Sequence, residues 1–245
     1  MEFSTLFIAL TVSLVTAGPA VGKPFEVDKI STSLGDLEIT FIGHGTLMLG
    51  FGGKVIHVDP YGKLTDYEKM PKADLILVTH EHRDHLDLAA IAAIRKSSTI
   101  IVANPAAAAK LDDTRTMKNG QKETVLNLPI QAVPAYNVIH KRDNGEPFHP
   151  SGRDNGYVIT FGDKRVYIAG DTEDIEEMKT LAPVDIAFIP ANLPYTMTPE
   201  MAAAAARKVR ARILYPYHYG DTDVTRITQL LADTPEIEVR IRSMR

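Results

Sequence analysis

The feature that most constrains this chain is a junction. The apolar run Asp74–Thr79 (DLILVT) gives way directly to His80-Glu81-His82-Arg83-Asp84-His85. A continuous apolar run of that length reads as a strand buried on both faces, so its sheet must be covered on both sides. The residues after it carry three histidines and an aspartate. Gathering so many ligand-type side chains at the end of a buried strand costs too much unless a cation compensates. In a strand-to-helix turn, His80 and His82 can converge on one ion, while Asp84 and His85, around the bend, point at a second. The spacing suits two adjacent cations sharing a bridging hydroxide.

The surrounding pattern is β-rich. Leu37–Phe41, Thr46–Phe51 and Lys54–Val58 are short apolar and β-branched runs, with the pair Gly52-Gly53 forming a hairpin turn. After the junction come a helix over Leu86–Lys96, a strand over Thr99–Ala103 and a short helix over Pro105–Leu111. The second half repeats the theme. Thr124–Tyr136, Gly156–Phe161 and Arg165–Ala169 read as strands, and Asp174–Leu181 as a helix. Val184–Pro190 is a buried strand, and Thr198–Arg210 a helix capped by Thr198 with Pro199 at its first position. Strand Ile213–Tyr217, helix Asp223–Ala232 and strand Ile237–Ile241 complete the chain. Each half opens with a meander and then alternates strand with helix, and no proline- or glycine-rich linker divides them. The expected class is α/β (α+β), two mixed sheets face to face with helices outside: an αββα four-layer sandwich.

Composition narrows the chemistry. With no cysteine among 245 residues, the chain has no disulfide, thiolate metal site or cysteine nucleophile, so a transition-metal site must use histidine and carboxylate. A net charge of −4 gives no general attraction for nucleic acid, so a small-molecule substrate is expected. No Ser–His–Asp arrangement, phosphate loop or dinucleotide motif is present. Leu6–Ala17 is an uncharged apolar run too short to span a bilayer, followed by small residues that suit a signal peptidase. Residues 1–22 are therefore expected to be a signal peptide and 23–245 a single domain, exported to the periplasm or secreted. The competing reading, favoured by Glu2 and the lack of Lys or Arg before the run, is an amino-terminal strand and a cytoplasmic protein.

His80-x-His82-x-Asp84-His85 resembles the HxHxDH signature of the metallo-β-lactamase superfamily, and Leu86-Asp87 continues the pattern. Across residues 38–220, Phe41-Ile42-Gly43-His44-Gly45-Thr46 is similar to the opening turn of the ascorbate-6-phosphate-lactonase-like branch. Val58-Asp59-Pro60 resembles the superfamily's early aspartate, Tyr167–Thr172 the segment whose aspartate bridges two metals, and Pro216–Gly220 the late histidine motif. The resemblance implies a first metal on His80, His82 and a third histidine, and a second on Asp84, His85 and His218, with Asp171 bridging. For the third histidine, Phe148-His149-Pro150 before Gly156-Tyr157-Val158 matches the branch and favours His149 over His140. Zinc is the default for such ligands, and manganese or iron are also accepted.

Asp59 is read as orienting a ligand histidine through a hydrogen bond. His44, Asn192, Tyr195 and Tyr219 fall beside motif or strand ends and are expected to touch substrate. His57 is read as structural, and Glu81 and Arg83, between ligand positions, as surface or supporting residues. The implied activity is hydrolysis of an ester-type bond (lactone, carboxylic ester or phosphodiester), with Asp84 or Asp171 handling the proton. Alternatives are a β-lactamase-like amidohydrolase and a non-catalytic metal-binding module. Diiron redox relatives are disfavoured because no early histidine is replaced by carboxylate and no flavin domain is attached.

Overall fold

The computed structural model describes residues 25–245. The segment read as an export signal, and the domain boundary at residue 22, lie outside the described residues. The first sheet begins with β1 (Glu26–Thr32), β2 (Gly35–Gly43), β3 (Thr46–Phe51) and β4 (Lys54–Val58), an antiparallel meander. It continues in parallel with β5 (Leu75–Val78), β6 (Ile100–Ala103) and β7 (Thr114–Thr116). Helices α1 (Leu88–Ile94) and α2 (Pro105–Ala108) make the last two crossovers. The second sheet repeats this plan. β8 (Lys122–Val125), β9 (Leu128–Ala135), β10 (Asp154–Phe161) and β11 (Lys164–Ile168) form the meander. β12 (Val184–Pro190), β13 (Ala211–Tyr217) and β14 (Glu238–Val239) are parallel, connected by α3 (Pro199–Val209) and α4 (Thr225–Leu230). Within each sheet the spatial order follows the chain, seven strands in both.

The alternation of side chains explains the layers. Leu75 and Leu77 enter the core between the sheets, whereas Ile76 and Val78 pack with Ile91, Ile94 and Ala107 of the helical layer outside. A period of two with both faces apolar is what the run DLILVT requires. Phe41 of the first sheet meets Phe188 of the second at 6.3 Å, and Phe188 stacks on Tyr215 at 5.2 Å, closing the inner layer. On the other side α3 lies over β12 and β13. The αββα sandwich read from the sequence is the observed architecture.

Several element boundaries differ from the sequence reading. Thr124–Tyr136 is a hairpin, not one strand: Leu126 and Asn127 take positive φ (52° and 65°) and turn the chain between β8 and β9. The expected helix Asp174–Leu181 is a 3-10 segment over Glu176–Leu181 with no side-chain cap. Helix α1 begins at Leu88 because Asp87 caps it, its carboxylate accepting from Ala89 N and Ala90 N. Strand β1 was not expected; its polar sequence EVDKIST becomes strand by pairing with β2 across the Thr32↔Gly35 hairpin. Among the described residues no helix is long and apolar enough to cross a membrane.

Candidate metal centre

The carboxyl ends of the parallel strands carry the site. His80, His82, Asp84 and His85 occupy the turn from β5 to α1, Asp59 follows β4, Asp171 follows β11, His218 follows β13 and His149 ends the β9–β10 loop. Their side chains form two groups of donors, each within 4.8 Å: His80, His82, His149 and Asp171; and His44, Asp84, His85 and His218. In the first, His82 Nδ1 lies 3.0 Å from His80 Nε2 and 3.2 Å from His149 Nε2. Asp171 Oδ2 is 3.9 Å from His80 Nε2 and 3.4 Å from His149 Nε2. In the second, His218 Nε2 is 3.1 Å from His85 Nε2 and 3.7 Å from Asp84 Oδ2. Asp171 joins the groups, because its Oδ1 lies 3.4 Å from His85 Nε2 and 3.5 Å from His218 Nε2.

The partners of the ring nitrogens on the far sides fix which lone pairs face inward. The Thr79 hydroxyl donates to Asp59 Oδ2 at 2.6 Å, so it accepts from His80 Nδ1 at 3.0 Å. His85 Nδ1 donates to Asp59 Oδ2 at 2.8 Å, and His149 Nδ1 to Asn137 Oδ1 at 2.7 Å. In each ring the opposite nitrogen, Nε2, is aimed into the site, where it can offer a lone pair to a metal. A cation among these nitrogens would take their lone pairs together. Asp171 Oδ1 makes the same point: it is a buried carboxylate oxygen with no hydrogen-bond partner among the described residues. The donor set fits divalent metal.

Electrostatics follow from burial. Burial lowers the His80 imidazole well below its ordinary range, lowers His82, and takes His149 to about 4, so all three are neutral near pH 7. Burial also opposes charge on His85, but the carboxylates of Asp171, Asp59 and Asp84 outweigh it and raise that ring to about 10. A cation would displace this proton. Asp84 would be raised by its burial, yet hydrogen bonds from His218 and His44 hold it well below the usual carboxylate range.

Close approach needs glycine at one point. A Cβ on Gly45 would stand 2.8 Å from His85 Cε1 and 3.3 Å from His218 Cδ2, so any side chain there displaces the donor rings. His44, Asp59 and His218 all adopt positive φ (51°, 45° and 46°), a conformation costing about 1 kcal/mol or more each and held by the surrounding hydrogen bonds. His218 N, for instance, donates to His44 O at 2.9 Å.

The donor groups open into a cleft of about 470 Å³ whose lining includes His44, Asn192 and Tyr195. His44 Nε2 donates to Asp84 Oδ2 at 3.0 Å and its ring lies on His218, centroids 3.7 Å apart. Asn192 Nδ2 is 3.3 Å from His218 Nδ1. Tyr219 is a correction: it is buried, its hydroxyl donates to Arg242 O and accepts from Met244 N, and it does not line the cleft. The backbone reverses at His218, which turns the next side chain toward the carboxyl-terminal tail instead of the substrate. His140 is not in either donor group; its Nδ1 donates to Glu173 Oε1 at 2.8 Å.

The sequence reading missed Asn137 and Glu173. Buried Glu173 accepts from the backbone N–H groups of Val138, Ile139 and His140, each at 2.7 Å, and from Asn137 Nδ2 at 3.1 Å. Asn137 Oδ1 in turn takes both the backbone N–H and Nδ1 of His149. Glu173 thus sets the amide that sets a donor histidine. Its signal was masked, because Glu173 stands in the acid-rich run Asp171–Glu177. Glu81, by contrast, is held as a supporting residue by Arg153 at 3.3 Å, and His57 is buried in its strand, donating to Pro71 O at 3.0 Å.

Comparison with known proteins gives the family. A family described as a beta-lactamase superfamily domain matches residues 38–218. A UPF0173 metal-dependent hydrolase of Methanopyrus kandleri is 30% identical over 197 residues, 75% of this chain and 84% of that protein. One from Solibacter usitatus is 31% identical over 198 residues, 75% of this chain and 85% of its own. Among solved structures, a protein of Parabacteroides distasonis named for metal-dependent hydrolysis is 52% identical with a TM-score of 0.86, covering 90% of this chain and 100% of that one. A metallo hydrolase of Ignicoccus hospitalis, 24% identical with a TM-score of 0.71 over 85% of this chain and 96% of its own, shares the fold. The chain belongs to the metallo-β-lactamase superfamily, among its metal-dependent hydrolases.

Proposed function

We propose that this protein hydrolyses an ester-type bond of a small molecule, a lactone, carboxylic ester or phosphodiester, with two divalent cations held by its paired donor groups. Asp171 carries the reading. One buried carboxylate divides its oxygens between the two groups, and Oδ1 has no other partner among the described residues. His80, His82 and His149 with Asp171 Oδ2 would hold one cation; Asp84, His85 and His218 with Asp171 Oδ1 the other. Zinc suits this set of imidazoles and carboxylates. When bound, such cations polarise the scissile oxygen and make a water acidic enough to react near neutral pH.

The residues around them handle the proton and the substrate. Every contact of Asp84 with His44, His85 and His218 uses Oδ2, which leaves Oδ1 for a proton. As the water oxygen bonds to carbon or phosphorus, Asp84 Oδ1 takes its proton and returns it to the leaving oxygen when the ester bond breaks. Asp171 is worse placed for this step, because both its oxygens face donor nitrogens. His44 holds the Asp84 carboxylate in place, and Asn192 and Tyr195 on the cleft wall are assigned to substrate contact. The apolar run Leu6–Ala17 supports export of the enzyme, which sequencing the amino terminus of the mature protein would check.

The deciding experiment combines metal analysis with turnover of lactones, aryl esters, phosphodiesters and β-lactams, on wild type and His82→Ala. About two zinc ions per chain and ester turnover lost in the variant are expected. A protein that takes up no metal, or that hydrolyses none of the panel after zinc or manganese is supplied, would overturn the proposal.

A further inference from the structure

We infer that the substrate carries an oxyanion, a carboxylate or a phosphate, apart from the bond that is cleaved, and that Arg83 and Arg142 bind it. The inference rests on the hydrolase reading of the same cleft. Both arginines line that cleft, beside His82, Asp84 and His149. Arg83 stands between His82 and Asp84, whose side chains turn into opposite donor groups, and its own side chain is exposed at the cleft. Arg142 lies in the small turn closed by the Lys141↔Pro147 bridge, where Arg142 N donates to Glu146 O at 2.7 Å. Its guanidinium sits 5.0 Å from the Phe148 ring, which meets Tyr195 edge-on at 5.1 Å.

Neither guanidinium has an acidic partner among the described residues; Arg115, Arg165 and Arg210 also lack one, but Arg83 and Arg142 are the arginines that line the cleft. Arg153 is paired with Asp154, Arg207 with Asp233, Arg226 with Glu200 and Arg242 with Asp28. The acids nearest to hand are engaged elsewhere. Asp84 is taken by His44, His85 and His218, and the Glu146 carboxylate accepts from Asn144. The two arginines equal in number the two carboxylates of the cleft, Asp84 and Asp171, and since those face the donor groups, both guanidinium charges are left for a ligand. Guanidinium presents a planar fork of donors matched to carboxylate or phosphate, and stacking on Phe148 limits the freedom that Arg142 loses on binding. The Phe148–Tyr195 wall would take an apolar or planar part of the same molecule.

The test uses the metal-loaded full chain and two aryl esters of equal length, 4-nitrophenyl hydrogen glutarate and 4-nitrophenyl valerate. The anionic ester is expected to have the higher kcat/KM, by about tenfold or more. That preference should fall about tenfold in Arg83→Gln and in Arg142→Gln, mainly through KM, with part of it restored in Arg142→Lys. Equal kcat/KM for the two esters, or a preference unchanged in the double variant, would overturn the inference. Calorimetric titration with glutarate and with butyl phosphate separates the two oxyanions and is independent of turnover. Should no ester be hydrolysed, the functional proposal fails by itself. The subsite then stands if binding of either anion weakens about tenfold in the double variant, and falls if binding is absent or unchanged.

Discussion

The two halves of this molecule share one plan and use it differently. Each is a four-strand antiparallel meander followed by three parallel strands, in the same spatial order. The first half delivers four donors from a single turn, residues 80–85. The second delivers three from three separate places: the β9–β10 loop, the end of β11 and the end of β13. The sharpest contrast is between the aspartates that follow the fourth strand of each meander. Asp59 comes directly after β4 and spends both oxygens on Thr79 N, the Thr79 hydroxyl and His85 Nδ1. Asp171 comes two residues later relative to β11, past Ala169 and Gly170, and reaches the donor groups themselves. Gly170 makes this possible: its φ is +66°, and a Cβ there would stand 2.8 Å from Asn155 O. A shift of two residues at a strand end turns a bracing carboxylate into a shared one.

Substituting each aspartate is the strongest way to break the comparison. Asp171→Asn is expected to reduce metal content to one ion per chain or fewer and to lower kcat/KM by roughly a thousandfold, the scale of several kcal/mol at the transition state. Asp59→Asn is expected to weaken metal affinity by about 10- to 100-fold, with full occupancy recovered at high zinc. Metal analysis at low and saturating zinc, alongside ester turnover, separates them. Equal losses in both variants would mean the two carboxylates do not differ in role.

The second half has a brace of its own, of the next size of effect. Glu173 holds Asn137, and Asn137 holds His149, in place of the single Asp59. Asn137→Ala should weaken metal binding by about 10- to 100-fold, and Glu173→Gln by less, since a glutamine still accepts some of the loop's N–H groups. Competition against a chelator measures both. A Glu173→Gln variant that bound metal as wild type and kept its Tm would confine Glu173 to the loop alone.

This division also explains what could be read in the sequence. The sheet order and the layers follow from local periodicity, because DLILVT and VDIAFIP bury both faces wherever they lie. The first-half donors are legible because they are contiguous. His149, Asp171 and His218 meet only through tertiary structure, and were placed by resemblance to known motifs, not by spacing. Asn137 and Glu173 carry no local signal, since their role exists only once β9 and the segment after β11 lie side by side. The same holds for β1, whose polar residues become strand by pairing with β2, and for Tyr219, whose direction is set by the reversal at His218.

Two buried titrating groups away from the donor cluster, one in each half, have opposite pH dependence. In the first half, burial lowers His57 to about 4 from an ordinary 6.5. Its contribution is present above pH 6.5 and is lost as pH falls toward 4, on the order of 3 kcal/mol in total. In the second half, burial raises Asp154 to about 6 despite Arg153. Its contribution is present below pH 4 and is lost as pH rises through 6, again on the order of 3 kcal/mol. Between pH 4 and 6.5 the two nearly offset each other. In denaturant unfolding of the metal-free protein, His57→Gln should make the slope of stability against pH more negative than in wild type across that window, and Asp154→Asn should make it more positive. Slopes that moved in the same direction in both variants would refute the assignment.

The smallest effect concerns helix ends. Helix α1 of the first half stops at Arg95 in an extended conformation (φ −69°), whereas α3 of the second stops at Arg210 in the left-handed region (φ 48°). Arg210 N donates to the Ala206 and Arg207 carbonyls, the usual way of closing a helix, but an arginine there bears a steric cost that glycine does not. The Arg210 side chain is exposed and has no ion pair among the described residues. Arg210→Gly should therefore stabilise the protein by about 0.5–1 kcal/mol, a Tm rise of roughly 2–4 °C at most for a chain of this size. Arg95→Gly should do the reverse. The backbone at Arg95 gains nothing from glycine, the unfolded chain gains entropy, and the contact with Asp113 at 3.2 Å is lost. Thermal melts of the two variants under identical metal loading compare them directly. A rise at both positions would show that the gain at Arg210 is not relief of left-handed strain, since Arg95 has none to relieve.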